Sequence, residues 1–203
     1  MPNDKIYNQT HVRLQRQIHE NSNVYGWIRI DGTPINYPIA QHSFDDTFYL
    51  SHDIDGEQTI YGAIFTERVN TKTFNDAVTI VYGHAMRDGS MFGSLRKFSE
   101  SAFFDKYKEI IIHTIDDSYV YEILAIHLFT DDNLYEKFQL DTPYGRQHYL
   151  DTLPDTVSVY GGMYRPYTVD VSKDKLLILS TCDVNDTQRY IVTAKLVKKE
   201  QHK

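Results

Sequence analysis

Short apolar strand patterns dominate the chain after position 23. The spans 26–30, 35–40, 60–65, 78–82, 109–114, 118–129, 156–160, 176–179 and 190–197 are each rich in β-branched and aromatic residues, so each predicts a strand. Turn signals separate them: Asp31-Gly32, Asp55-Gly56, Asp88-Gly89 and Asp116-Asp117. Helical spacing is confined to a few places. Val12, Leu14 and Ile18 form a partial stripe over 7–21, the span 90–98 follows a glycine loop, and 142–153 carries Pro143 at a first-turn position and stops before Pro154. Gly161-Gly162 and Gly145 read as bends. The expectation is a mainly β fold, a closed barrel of about eight strands, with an N-terminal helix and one or two helices in connections.

Composition keeps this picture to one domain. The chain has 203 residues, 41% hydrophobic and 24% charged, with no Pro/Gly/Ser-rich linker, repeat or low-complexity tract. Residues 1–22 form a helical segment and 23–203 the domain proper. A formal net charge of −7 argues against a nucleic-acid partner, since phosphate recognition rests on clustered Lys and Arg. The basic tail Lys195, Lys198, Lys199 and Lys203 is too short to reverse that and reads as a solvated end. No run approaches the roughly 20 apolar residues that span a bilayer, and the polar start Met1-Pro2-Asn3-Asp4-Lys5 is no secretory signal.

Chemistry concentrates at one strand end. Cys182 is the single cysteine and closes Leu176-Leu177-Ile178-Leu179-Ser180-Thr181-Cys182, with Arg189 on the next apolar run. A thiol without a disulfide partner, at a sheet edge and near a fixed positive charge, reads as a nucleophile. A buried structural cysteine is the alternative. Such a nucleophile needs an imidazole, and His84 projects from a second strand end, where Val78-Thr79-Ile80-Val81-Tyr82 runs into Gly83. Gly83 is expected to let the backbone turn there. His11, His19, His113, His127, His148 and His202 have surface or core contexts. His42 and His52 with Asp45, Asp46, Asp53 and Asp55 make an acidic cluster whose spacing fits neither zinc nor an EF-hand, so no metal is expected.

Taken together, Leu179-Ser180-Thr181-Cys182, the downstream Thr187-Gln188-Arg189-Tyr190-Ile191-Val192 and the upstream Tyr82-Gly83-His84 resemble the sortase signature. The class B branch is favoured by the stretch from Gly83-His84-Ala85-Met86-Arg87-Asp88-Gly89 to Phe92. Val24-Tyr25-Gly26-Trp27-Ile28-Arg29-Ile30-Asp31-Gly32-Thr33 favours it too, with its continuation through Tyr37-Pro38 to Tyr49-Leu50-Ser51-His52-Asp53. The resemblance runs from about Asn23 to Lys199. It implies a cysteine transpeptidase that cuts an Asn-Pro-x-Thr-x sorting signal after its threonine and passes the acyl group to an amine, needing no cofactor. Mapped onto this chain, Cys182 is the nucleophile, His84 the general acid and base, and Arg189 the guanidinium on the oxyanion or substrate backbone. Arginine suits that place because it stays charged and presents a rigid fork of donors.

The resemblance also implies a helix-bearing connection that forms the peptide groove. The candidate is 131–156, with Tyr135, Tyr144 and Tyr149 as lining residues, although aromatics that pack the helix on the barrel explain them equally. Ser180, Thr181 and Asp183 flank the nucleophile as further substrate-binding candidates, or else satisfy backbone groups at the strand end. The implied partners are a sorting-signal-bearing surface protein and an amine acceptor, either a peptidoglycan precursor or, in a pilin-polymerising relative, a pilin lysine. An enzyme of this kind carries an N-terminal membrane anchor, absent from this chain, and works on the extracellular face of a Gram-positive membrane. Two other readings stay open: a different cysteine hydrolase or peptidoglycan transpeptidase, and a noncatalytic surface module.

Overall fold

The computed structural model describes residues 4–130, 132–182 and 188–202, with the side chains of 4–8 and 182 left aside. An N-terminal helix α1 (Asp4–Glu20) is followed by β1 (Val24–Arg29), β2 (Asn36–Ala40), β3 (Ile64–Phe65) and β4 (Val78–His84). After a 3₁₀ segment, Gly93–Ser99, come α2 (Ser101–Lys106), β5 (Glu109–His113) and β6 (Asp117–Thr130). The chain then forms α3 (Leu134–Phe138), α4 (Pro143–Tyr160), β7 (Gly162–Tyr164), β8 (Leu176–Cys182) and β9 (Gln188–Gln201). Among the described residues no helix is long and apolar enough to cross a membrane.

The strands line up as β5-β1-β2-β3-β4-β8-β9-β6, and a β5–β6 pairing closes them into an eight-stranded barrel, with β7 added on β6. Two pairings are parallel, β2–β3 and β4–β8, and the other ladders are antiparallel. Strand directions therefore define two ends. β4, β8 and β6 finish at the end where β9 begins, while β5 finishes and β6 begins at the end where β9 stops.

Burial explains why the β8 pattern is continuous rather than alternating. Val81, Leu177, Leu179 and Val192 face the barrel interior, whereas Val78, Ile80, Leu176, Ile178 and Ile191 face outward beneath Tyr149, Leu150 and Leu153 of α4. With both faces covered, β4 and β8 are buried along most of their length and β8 opens on an unbroken apolar run, as strands covered on both sides do. A third cluster seats α1 through Leu14 on Val24, Trp27, Ala40 and Tyr49.

Four local expectations are corrected. The span 156–160 is the last part of α4, not a strand. Helix α4 runs through Pro154 because the Leu150 carbonyl, deprived of a donor at 154, accepts instead from the Tyr167 hydroxyl at 2.7 Å. In 60–65 only Ile64–Phe65 pair, since Gly62 turns the chain at φ +58°. The helix expected over 90–98 is a 3₁₀ segment displaced to Gly93–Ser99, and Gly162 opens β7 instead of only bending the chain. The short helices α2 and α3 carry no clear periodic signal.

Candidate active site

Three neighbouring strands bring the candidate residues level. In the parallel β4–β8 ladder the paired positions are Tyr82 with Ser180, Gly83 with Thr181 and His84 with Cys182. Across β8–β9, Ser180 pairs with Ile191. Two residues further along each of these antiparallel strands lie Cys182 and Arg189. His84 and Cys182 thus share one row, a strand spacing of about 4.8 Å apart, and Arg189 continues it on β9 beyond the last β8–β9 pair, Ser180 with Ile191.

Gly83 does not turn the chain, as the sequence suggested, but stays within β4. A Cβ there would run into Ile64 and come 3.0 Å from the Phe92 ring, so glycine is needed for room. His84 is half-buried, and its Nε2 lies 2.7 Å from the Leu50 carbonyl. A carbonyl only accepts, so Nε2 carries a proton and Nδ1 is the nitrogen left to exchange one. Gly62 leaves room for this contact: at its positive φ a Cβ would run into the Tyr49 carbonyl and crowd His84 Cδ2 and the Leu50 carbonyl, each at 3.1 Å. Beyond His84 the loop closes on itself, with Ser90 N and Oγ donating to Asp88 Oδ1 and Phe92 N to the His84 carbonyl.

Arg189 pairs with Phe129 of β6 and lines a cavity of about 100 Å³ with Glu67, Tyr82, Asp132, Asn133 and Ser180. Burial and the nearby Asp46 charge raise the Glu67 carboxyl above its usual range, opposed by the Tyr82 hydroxyl and the Arg189 cation. Burial, then the Glu67 charge, pushes the Tyr82 hydroxyl far up, so it stays protonated and acts as a donor.

The other candidates separate. Ser180 is buried and borders the Arg189 cavity, while Thr181 is 1% exposed and sits within the ladder. Tyr144 is 81% exposed at the start of α4. Tyr149 is 1% exposed and its hydroxyl lies 2.6 Å from Thr193 Oγ1, so it fixes α4 to the barrel and has no surface to offer a peptide. Tyr135 is partly buried against the same cluster. Asp183 lies outside the described residues. In the acidic loop, the His42 and Asp53 side chains accept from backbone N–H groups, and among the described residues no three His, Cys, Asp or Glu side chains gather as a metal site. The Leu50 carbonyl, Gly62 and Glu67 were missed from sequence. A carbonyl has no residue signature, and Glu67 reaches the site only through the barrel's closure.

Known proteins with this arrangement define the class. A Sortase domain model matches residues 28–197, and the chain belongs to the sortase family of cysteine transpeptidases. The branch is class B. Sortase B of Listeria monocytogenes is 36% identical over 183 residues, covering 88% of this chain and 72% of the relative. Sortase B of Bacillus anthracis, solved in complex with AAEK1, superposes with a TM-score of 0.76 at 32% identity, covering 92% of this chain and 84% of that one. A Streptococcus pyogenes class B sortase involved in pilus biogenesis superposes with a TM-score of 0.78 at 26% identity, over 92% and 98% of the two chains.

Proposed function

We propose that this protein cleaves an Asn-Pro-x-Thr-x type sorting signal after its threonine and transfers the resulting acyl group to a cell-wall amine. The observation that carries the reading is the pairing of His84 on β4 with Cys182 on β8, at the barrel end where Arg189 begins β9 and lines a cavity with Ser180 and Tyr82. The Cys182 thiolate attacks the threonine carbonyl carbon, and the oxyanion that forms is met by the Arg189 guanidinium. Collapse breaks the peptide C–N bond as His84, protonated on both nitrogens, gives a proton to the leaving amine. A thioester and a neutral imidazole remain. The acceptor amine then adds to the thioester carbonyl and yields its proton to His84. The C–S bond breaks, which regenerates the thiolate beside an imidazolium.

The partners on this reading are a surface protein ending in the sorting signal and a peptidoglycan precursor that bears the amine. The enzyme works at the outer face of a Gram-positive cytoplasmic membrane, held there by an anchor N-terminal to residues 1–22. Similarity to the pilus-associated Streptococcus pyogenes enzyme supports a second reading, in which a pilin lysine is the acceptor.

Intact-protein mass spectrometry with a panel of Asn-Pro-x-Thr-x peptides tests the donor, with Cys182→Ala as control. The expected product is an adduct on Cys182 whose mass is the peptide cut after threonine. Release of that adduct by small amines but not by lysine side chains favours wall anchoring. An alkylatable thiol with no adduct across the panel would overturn the donor assignment and favour another cysteine hydrolase.

A further inference from the structure

We infer that Glu67 is the positioning residue for Arg189: from across the cavity that both line with Tyr82, its carboxylate draws the guanidinium toward the row with Cys182. The inference rests on the reading of Arg189 as the oxyanion donor. A guanidinium on a long, freely rotating stem stabilises an oxyanion only where something fixes its direction, because preorganised donors act and mobile ones do not.

Elimination among the acids around the cavity points to Glu67. Asp132 also lines it, but its Oδ2 takes the Lys137 ammonium and the Thr130 hydroxyl. Asp46 lies near, but the Arg68 guanidinium grips it through Nε and Nη2 at 3.1 and 3.0 Å. Glu67 is left, lining the same cavity as Tyr82 and Arg189 and near enough to the Arg189 charge to feel it. Tyr82 sits two residues before His84 on β4, so the cavity that Glu67 lines is bordered by both the histidine strand and the arginine strand.

The turn that carries Glu67 is pinned more firmly than a surface turn requires. The buried Gln41 amide donates to the Glu67 and Asn70 carbonyls at 2.9 and 2.8 Å and to Thr66 Oγ1 at 3.1 Å. Asn70, also buried, donates to the Val78 carbonyl at 2.7 Å and accepts from Ile80 N at 2.9 Å. One buried amide therefore ties the turn to β2 and another ties it to β4. A satisfied buried polar network of this kind specifies position. Here it places a carboxylate beside the arginine.

The test measures kcat and KM with whichever acyl donor forms the Cys182 adduct, for Glu67→Gln and Glu67→Asp in the wild-type and Arg189→Ala backgrounds. The expected result is a fall in kcat of about tenfold or more for Glu67→Gln, with KM changed less than about threefold. Glu67→Asp recovers part of the loss. In the Arg189→Ala background Glu67→Gln changes kcat by less than about twofold, the non-additivity expected of residues that act through one another. Tyr82→Phe gives a smaller fall in kcat and stands in for Glu67→Gln if that variant does not fold. An equal loss in both backgrounds, a rise in KM alone, or wild-type kcat in Glu67→Gln beside a crippled Arg189→Ala would overturn the inference and leave Arg189 in place. Full activity in Arg189→Ala would remove Arg189 and Glu67 together.

Discussion

The two ends of the barrel treat histidine in opposite ways. At the end where β4 and β8 finish, His84 is half-buried, with Nε2 on the Leu50 carbonyl and its strand bordering the Arg189 cavity. At the other end His113 is 7% exposed and belongs to a closed chain of hydrogen bonds. His202 Nδ1 donates to the Ile115 carbonyl, while Ser118 Oγ bridges the two rings, 2.7 Å from His202 Nε2 and 2.7 Å from His113 Nδ1. Burial first, then the Arg29, His202 and His11 charges, hold His113 neutral, its pKa pulled from 6.5 down to about 4. Chain chemistry is the same at both ends. What differs is whether the second nitrogen is open to a reacting group or enclosed by structure.

Removing each imidazole separates the two roles most widely. In the proposed mechanism His84→Ala lowers turnover by about a thousandfold, within the range for a lost general acid and base, and leaves the melting temperature near wild type. His113→Ala does the reverse: kcat/KM stays at the wild-type value while the melting temperature falls. Matched steady-state kinetics and calorimetry check both, and a stable, fully active His84→Ala would move the base to another residue. Next in size is Arg189→Lys, which keeps the charge and loses the fork. Turnover is expected to fall by about a hundredfold, the scale of one lost oxyanion donor. Near-normal turnover would show that charge alone suffices.

The enclosed end predicts a pH dependence of stability with a definite sign. His113 binds protons less readily folded than unfolded, so the unfolded state carries more protons between pH 6.5 and about 4. The stability from keeping it neutral is present above pH 6.5 and is lost as pH falls through that window, by about 2 kcal/mol from pH 7 to pH 5. Denaturant titrations of wild type and His113→Gln at the two pH values measure the difference. Equal losses in both would mean that other groups set the acid limit.

Much of this contrast is legible in the sequence, and the gaps have physical causes. The short apolar runs find most strands, and the unbroken Leu176-Leu177-Ile178-Leu179 run marks a buried strand, which the structure covers on both faces. It misreads Thr156-Val157-Ser158-Val159-Tyr160, where β-branched residues and Pro154 suggest a stop followed by a strand. A hydroxyl from Tyr167 overrides that signal by satisfying Leu150 across the helix break. At the site, Cys182, His84 and Arg189 stand out because their residue types and strand-end positions are local features. Leu50 and Glu67 do not, because the first acts through its backbone and the second through a cavity formed by distant segments.

The smallest expected effect separates the tyrosines of α4. Tyr149 and Tyr144 both looked like groove residues, yet Tyr149 is buried against Thr193 and Tyr144 faces solvent. Tyr149→Phe keeps the ring and removes one buried hydrogen bond to Thr193. Stability should fall by about 1 kcal/mol with kcat and KM unchanged. Tyr144→Ala should leave the melting temperature within about 2 °C of wild type, because its side chain is exposed and the N-cap bond beside it is made by Thr142 to Gly145 N. Any change it makes would then appear in KM. A KM effect in Tyr149→Phe instead would mean that α4 shifts when the Thr193 contact is cut, and that the position of this helix, not an exposed aromatic, controls access of the peptide to the row on β4, β8 and β9.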